Sequence, residues 1–429
     1  MYLRGSKWSL NKRRRRSNPW LIAFLLIAIG FIAYLNIYVI PTVPPPFVPT
    51  PTPTRDPVSY VQEAEAYVAE GRYTLAMESY QAALKADPQN VSIYLSLAKL
   101  QIYSGENEAA AVNAENALLL DKTRSQSYGL LAWARANMGQ YLEAENFIKT
   151  GIDLDPNNAF LHAVYANILA KRVMADVADL DTLDLAIEES QKAITLGPDL
   201  LEAHWARAIV LEITANYEEA IEQLERAIEI NDKIADLHLL LGRNYFAIEE
   251  NDQAIFEFTR AYALNPTDPT PNWYVSQVYA RLGEHSKAIQ AAETAVKDAP
   301  SDPAMYGNLG TMYYRDLQYN RAIEALELAV RGGTTADGVV VEGLPLDYSS
   351  TVIGFYSRFG LSLARVNRCT EAVQIAQAML QTVADDETAV YNAGIIIEIC
   401  QEYQENPPTE TPTPEESDPA ATPSEDVQG

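Results

Sequence analysis

From Pro57 onward this sequence returns every 34 residues to one pattern of small and large side chains, which limits it to folds built by stacking a single unit many times. The first unit is PVSYVQEAEAYVAEGRYTLAMESYQAALKADPQN. It has large residues at unit positions 4, 11 and 24 (Tyr60, Tyr67, Tyr80), alanines at 8, 20 and 27 (Ala64, Ala76, Ala83) and Pro88 at position 32. Small side chains at those three positions let two helices approach closely, and the large ones fill the space between them. A proline at position 32 cannot continue a helix and so marks a boundary. Each unit is expected to be an antiparallel helix pair. No pair buries its apolar face alone, so the pairs are expected to stack around one continuous core.

The frame repeats as Ala98, Ala110 and Ala117, then as Ala132, Ala144, Gly151 and Pro156. In the fourth unit eight extra residues separate Ala166 and Leu169 from Ala186, Ala193 and Pro198, placing an insertion near 172–180. Units five to eight carry Ala208, Ala220 and Ala227; Gly242, Ala254, Ala261 and Pro266; Ser276, Ala288, Ala295 and Pro300; and Gly310, Ala322 and Ala329. A non-repetitive stretch, RGGTTADGVVVEGLPLDYSS at 331–350, then breaks the helical period; such a loop either carries binding or is tolerated decoration. A ninth unit shows Gly360, Leu363 and Ala372, and a last helix from about Glu387 to Tyr403 is expected to cap the array. Lys122 and Met379 depart from the pattern, standing where Pro and Ala would be.

On these residues the chain resembles the tetratricopeptide repeat family. The resemblance implies an all-α fold: a right-handed superhelix, or α-solenoid, of about nine hairpins plus a capping helix over residues 58–403, with insertions near 172–180 and 337–352.

The remaining segments read differently. Trp20 to Ile40 is 21 residues without a charge, enough to cross roughly 30 Å of hydrocarbon as a helix. Bulky Tyr38, Val39 and Ile40 lead straight into Pro41, which favours an uncleaved transmembrane signal anchor over a removed signal peptide. Residues 1–19 hold seven Lys or Arg and no acid, which places the N-terminus in the cytosol and the repeat domain outside it. Residues 41–57 hold eight prolines and read as an extended stalk. Residues 404–429 hold six prolines and seven acids and read as a disordered tail. Beyond residue 19 the chain has 25 bases against 58 acids, a balance that disfavours nucleic acid as a partner.

In this family the first helix of each unit lines a concave groove through positions 2, 5, 9, 12 and 13. The resemblance thus implies groove positions for Tyr103, Trp133, Phe160, Asn167, Trp205, Arg243, Phe246, Trp273, Gln277, Tyr314 and Arg315. Exposed aromatics beside Arg suit a protein-binding hot spot, while the same rings could instead pack between repeats. Family members that grip a C-terminal carboxylate use Lys at 5 or 2, Asn at 9 and 6, and Arg at 6. No consecutive units supply that set, and no such clamp is expected.

His162, His204 and His238 share position 4 in successive units, and repeat spacing separates them too far to share a metal, so they read as planar core residues replacing Tyr. Cys369 and Cys400 fall at neighbouring helix ends, which allows either a disulfide closing about 31 residues or two buried thiols. No phosphate loop, zinc-binding His pair, nucleophile elbow or Cys-His arrangement is present, so no catalysis, metal or cofactor is expected.

The sequence therefore predicts a single-pass membrane protein that binds a protein or peptide partner. Its role would be in assembly or quality control of envelope or secreted proteins. A glycan- or lipid-linked-substrate-binding accessory subunit is the alternative.

Overall fold

The computed structural model describes residues 18–39 and 55–405. These fall into two compact units, one within residues 1–56 and one from Pro57 on. In the first, α1 (Pro19–Tyr34) starts where the Asn18 side chain accepts from the Trp20 N–H at 3.2 Å, and Leu35–Val39 continues as a single π-helical turn. α1 buries no residue, and its apolar side chains are exposed all round with Ala28 alone partly covered. No helix among the described residues is long and apolar enough to cross a membrane. The 16 residues of α1 span about 24 Å at ~1.5 Å each. The expected crossing at 20–40 is therefore not present as one α-helix. The basic stretch before Asn18, the proline-rich residues 41–54 and the tail beyond Glu405 lie outside the described residues.

The second unit is an all-α repeat solenoid. Its hairpins are α2 (Pro57–Ala69) with α3 (Tyr73–Ala86), α4 (Val91–Tyr103) with α5 (Asn107–Leu120), and α6 (Ser125–Asn137) with α7 (Tyr141–Leu154). Next come α8 (Ala159–Met174) with α9 (Thr182–Leu196), α10 (Leu201–Ile213) with α11 (Tyr217–Ile230), and α12 (Ala235–Ala247) with α13 (Asn251–Leu264). Then follow α14 (Thr270–Arg281) with α15 (His285–Asp298), α16 (Pro303–Arg315) with α17 (Tyr319–Arg331), and α18 (Ser350–Arg365) with α19 (Cys369–Thr382). α20 (Glu387–Glu405) closes the array against α18 and α19.

The small residues of the frame are buried as their size requires. Ala64, Ala110, Ala132, Ala186, Ala220 and Ala322 are each 0% exposed. Where glycine takes such a place, the partner helix is closer still: a Cβ at Gly242 would lie 2.7 Å from the Phe258 ring, and one at Gly310 would lie 2.5 Å from Leu326 Cγ. The turn inside most hairpins needs one residue at positive φ. Gly71, Gly105, Gly139 and Gly283 supply it freely, while Ala215, Glu249, Leu317 and Asn367 adopt it with a side chain.

Position 4 ties neighbouring units together. His162, His204 and His238 are buried, and each points Nε2 at a backbone carbonyl six residues upstream: Pro156 at 2.9 Å, Pro198 at 2.7 Å and Asp232 at 3.1 Å. Their Nδ1 atoms meet Glu189, Gln223 and Glu257 on the second helix of the same unit. Tyr128 and Tyr306 donate to the equivalent carbonyls of Lys122 and Pro300, so His and Tyr perform one task here.

Three features depart from the simple frame. The insertion in unit four lengthens α8 and forms a loop pinned by Arg172, which donates to Glu145 at 2.9 Å, Asp179 at 3.0 Å and the Val177 carbonyl at 3.3 Å. The 331–350 stretch contains an antiparallel β-hairpin, β1 (Gly332–Thr334) with β2 (Val340–Glu342), whose Val341 is buried beside Tyr306 and Ala329. Its alternating Val run pairs locally rather than joining the helical stack. The core is also not one continuous body as expected. A large cluster runs from Leu95 to Leu241 and another from Ala280 to Cys400; Ala254, Phe258 and Val278 form a small separate cluster between them. Cys369 and Cys400 are disulfide-bonded with Cα atoms 5.4 Å apart, fastening α19 to α20.

Candidate functional site: the concave cavity

The concave face is closed off at one end. Tyr73 Oη and the Asn231 side chain bond at 3.0 Å across 158 residues, and Gly71 lies against the Lys233 stem. Further in, Tyr103 Oη donates to Glu202 Oε1 at 2.6 Å, and Lys99 Nζ pairs with the same oxygen at 2.5 Å. Units one and two thus meet unit five across the interior.

This curvature decides what becomes of the expected groove residues. Tyr103, Trp133, Phe160 and Trp205 converge into one aromatic cluster, with Trp133 and Trp205 edge-to-face at 5.4 Å and Trp133 and Phe160 at 6.2 Å. Trp133 is 3% exposed, Trp205 6% and Phe160 7%, so these rings pack between repeats and are not an open hot spot. Rings meeting in this way contribute beyond their area alone, by about 0.5–1.5 kcal/mol per pair. Arg243 pairs with Glu212 at 2.6 Å. Phe246 lies under the Arg281 guanidinium at 3.6 Å. Trp273 packs edge-on against Tyr274, and Gln277 donates to Asn308 Oδ1 at 2.5 Å. Tyr314 packs near Tyr319, and Arg315 is exposed.

Between units three and six these residues leave a cavity of about 410 Å³. Its apolar wall is Trp133, Trp205, Ile209, Met174, Leu239 and Leu240, and its polar wall is Asn137, Asn167, Lys171, Glu212, Asp236 and Arg243. Asn167 is 4% exposed, and its Oδ1 has no hydrogen-bond partner among the described residues; nor has Glu212 Oε2. A buried acceptor without a donor is costly, so both atoms favour a ligand bearing N–H or O–H groups.

Lys171 donates to Asn137 Oδ1 at 2.7 Å, and burial pushes its ammonium below the usual range. Burial holds the Glu212 carboxyl up, with Arg243 opposing. Asp236 is exposed on the cavity wall, where the surrounding protein reduces its hydration. That loss of hydration pushes its carboxyl up to about 6, with Lys171 opposing and Asp268 adding to the rise.

The expected groove residues Trp133, Asn167, Trp205 and Arg243 all line this cavity. Lys171 and Asp236 were missed although they stand at groove positions, 13 of unit four and 2 of unit six, so reading the charged residues at those positions would have found them. Met174 lies beyond the frame, on the lengthened α8, and the eight extra residues of unit four are its signal. Asn90, in a possible glycosylation triplet, is engaged: its side chain accepts from the Ser92 N–H and donates to Asp87.

Comparison with known proteins bears on identity. Family models described as "TPR repeat" and "Tetratricopeptide repeat" match residues 64–105, 125–158, 206–269, 239–303 and 276–337. Among curated proteins, the heat-shock protein cognate co-chaperone sgt12 of Aspergillus fumigatus is 35% identical over 108 residues, 25% of this chain and 31% of that protein. A DnaJ homolog subfamily C member 7 homolog of Schizosaccharomyces pombe is 25% identical over 184 residues, 39% of this chain and 37% of that protein. The chain thus spans about a third of the length of these relatives.

Among solved structures, a tetratricopeptide repeat protein from Parabacteroides merdae covers 60% of this chain and 98% of its own, at 15% identity and TM-score 0.38. MamA covers 42% of this chain and 94% of its own, at 23% identity and TM-score 0.29. With its repeats matched in five overlapping or separate segments and its small positions buried in register, the chain belongs to the tetratricopeptide repeat family.

Proposed function

We propose that this chain is a membrane-anchored, non-catalytic scaffold that holds a peptide segment of a partner protein in the concave cavity. The observation that carries this reading is the cavity's composition: a wall of Met174, Ile209, Leu239 and Leu240 beside the buried, unpartnered Asn167 Oδ1. A peptide offers both an apolar side chain and backbone N–H donors, and a volume of 410 Å³ is typical of ligand sites. A glycan fits less well. Stacking on a sugar needs an open ring face, and Trp133 and Trp205 spend theirs on each other and on Tyr103 and Phe160. Repeats of this family act as protein-interaction scaffolds, and the co-chaperone among the relatives supports a role in protein assembly or quality control; that its clients are envelope or secreted proteins rests on the proposed anchor alone.

The anchor is supported by the sequence, in the 21 uncharged residues Trp20–Ile40 and the seven bases in residues 1–19, while the 16-residue α1 is by itself too short for a span. The Cys369–Cys400 bond supports an oxidising, extracytoplasmic compartment for the repeats. Resistance of the full chain to carbonate extraction, with protease access to the repeats from outside only, is the expected result. Release by carbonate would refute the anchor.

Partner binding is tested with a photo-crosslinking residue at Met174 or at Leu239, against one at Leu142, which is exposed outside the cavity. A partner crosslinked from the first two and lost in a folded Leu239→Glu variant supports the reading. Equal crosslinking from Leu142 moves binding off the cavity.

A further inference from the structure

Eight buried side-chain atoms lack a hydrogen-bond partner among the described residues, and three of them gather at α8 and α10: Asn167 Oδ1, Glu202 Oε2 and Glu212 Oε2. The residues of the other five line neither the concave cavity nor the small recess beside it. All three are acceptors, and two belong to carboxylates. Glu202 and Glu212 each give Oε1 to a protein cation, Lys99 at 2.5 Å and Arg243 at 2.6 Å, and keep Oε2 without a partner.

The recess adjoins the cavity across Trp133, Asn167 and Trp205, which line both. Its volume is about 10 Å³, room for one heavy atom with its hydrogens. Asn167, 4% exposed, and Glu202, 3% exposed, bring an unpartnered oxygen each to its wall, while Ala163, Val164 and Ala206 bring carbon. Two acceptors call for a group with at least two hydrogens on one atom. A hydroxyl has one, and a primary amide carries an acceptor oxygen of its own into that space. A guanidinium is too large for it. A primary ammonium has three hydrogens, no acceptor and a charge opposite to that of Glu202.

We propose that the recess receives the ammonium of a lysine side chain on the bound peptide, with Asn167 Oδ1 and Glu202 Oε2 accepting from it. The proposal rests on the peptide reading of the cavity given above. The methylene stem of the lysine lies along the apolar wall at Ile209 and Leu240, and Glu212 Oε2 is left for the peptide's own N–H groups. A chain with 58 acids against 32 bases attracts a basic segment from a distance. The family's carboxylate-gripping set has lysine at position 5 or 2. Position 2 of unit five is Glu202, so the ligand's charge is reversed.

The test uses the full chain in neutral detergent at constant ionic strength and follows hydrogen exchange in α8 and α10. The probe is n-pentylammonium, a lysine side chain without its backbone, beside n-pentanol and alaninamide, which carries the α-ammonium of a peptide N-terminus. Saturable protection by n-pentylammonium alone is expected. Equal protection by n-pentanol would assign the effect to the apolar wall, and protection by alaninamide alone would assign the recess to an N-terminus; either overturns the lysine. No protection by any of the three means that the recess holds water only, and overturns it too.

Two variants separate space from charge. Asn167→Leu fills the recess and removes an unpartnered oxygen, so without probe its α8 should exchange no faster than that of the wild type. Glu202→Gln is made together with Lys99→Met, so that no cation is stranded. Each should weaken n-pentylammonium by about ten- to a hundredfold, and an unchanged response in either overturns the proposal. Failure here and failure of the peptide reading are distinct. A partner segment without lysine, crosslinked at Met174 or Leu239, keeps the cavity and removes the ammonium; n-pentylammonium binding with no partner crosslinked does the reverse.

Discussion

Two glycines on the repeat helices make opposite predictions from one geometric argument. A Cβ added at Gly310 in α16 would lie 2.5 Å from Leu326 Cγ and 3.1 Å from Leu326 N on α17. Cγ is the branch point of that side chain, and N is backbone, so neither moves cheaply. Overpacking of this kind costs about 1–3 kcal/mol, against roughly 0.5–1 kcal/mol gained when alanine replaces glycine in a helix. Gly310→Ala should therefore lose about 1–2 kcal/mol net. A Cβ at Gly394 in α20 meets nothing within 4 Å, so Gly394→Ala should instead gain about 0.5–1 kcal/mol. A repeat array need not unfold in one step, so the quantity to measure is local opening by native-state hydrogen exchange in α16, α17 and α20. Amides of α16 and α17 should exchange about five- to thirtyfold faster in Gly310→Ala. Those of α20 should slow in Gly394→Ala. Unchanged or slowed exchange in Gly310→Ala would mean that the helices of unit eight are not packed at the stated distance, and the small-position argument would fail with it.

Other perturbations reach different parts of the molecule. His162→Phe removes both ring hydrogen bonds and leaves Glu189 and the Pro156 carbonyl without them; a loss of about 2–4 kcal/mol is expected in urea unfolding. Leu317 holds φ at 60° with its side chain 69% exposed, so Leu317→Gly should stabilise unit eight by up to about 1 kcal/mol, read as slower exchange in α16 and α17. Asp236 has a folded pKa of about 6, above the ordinary 3.8. Its contribution is fully present below the lower value and lost as pH rises through the upper one. Asp236→Asn should flatten the stability profile between pH 4 and 6 and unfold at higher temperature than the wild type above that window; an unchanged slope would refute the shift. Reducing the Cys369–Cys400 bond, which closes 31 residues, should cost roughly 3–4 kcal/mol and loosen α20 first, as exchange under reductant would show.

How far the sequence could be read depended on the range of each interaction. The hairpins follow from contacts within one unit: Ala220 and Ala227 are small because α10 and α11 touch there, and a 34-residue frame carries that information whole. The position-4 residues are legible for the same reason, since the carbonyl that His204 meets lies six residues upstream. The concave site is not legible in this way. Position 9 of unit three and position 5 of unit five correctly send Trp133 and Trp205 inward, but whether an inward ring is open or covered depends on how tightly the array coils. That is set by contacts such as Tyr73 with Asn231, 158 residues apart. No periodic signal encodes a contact of that separation.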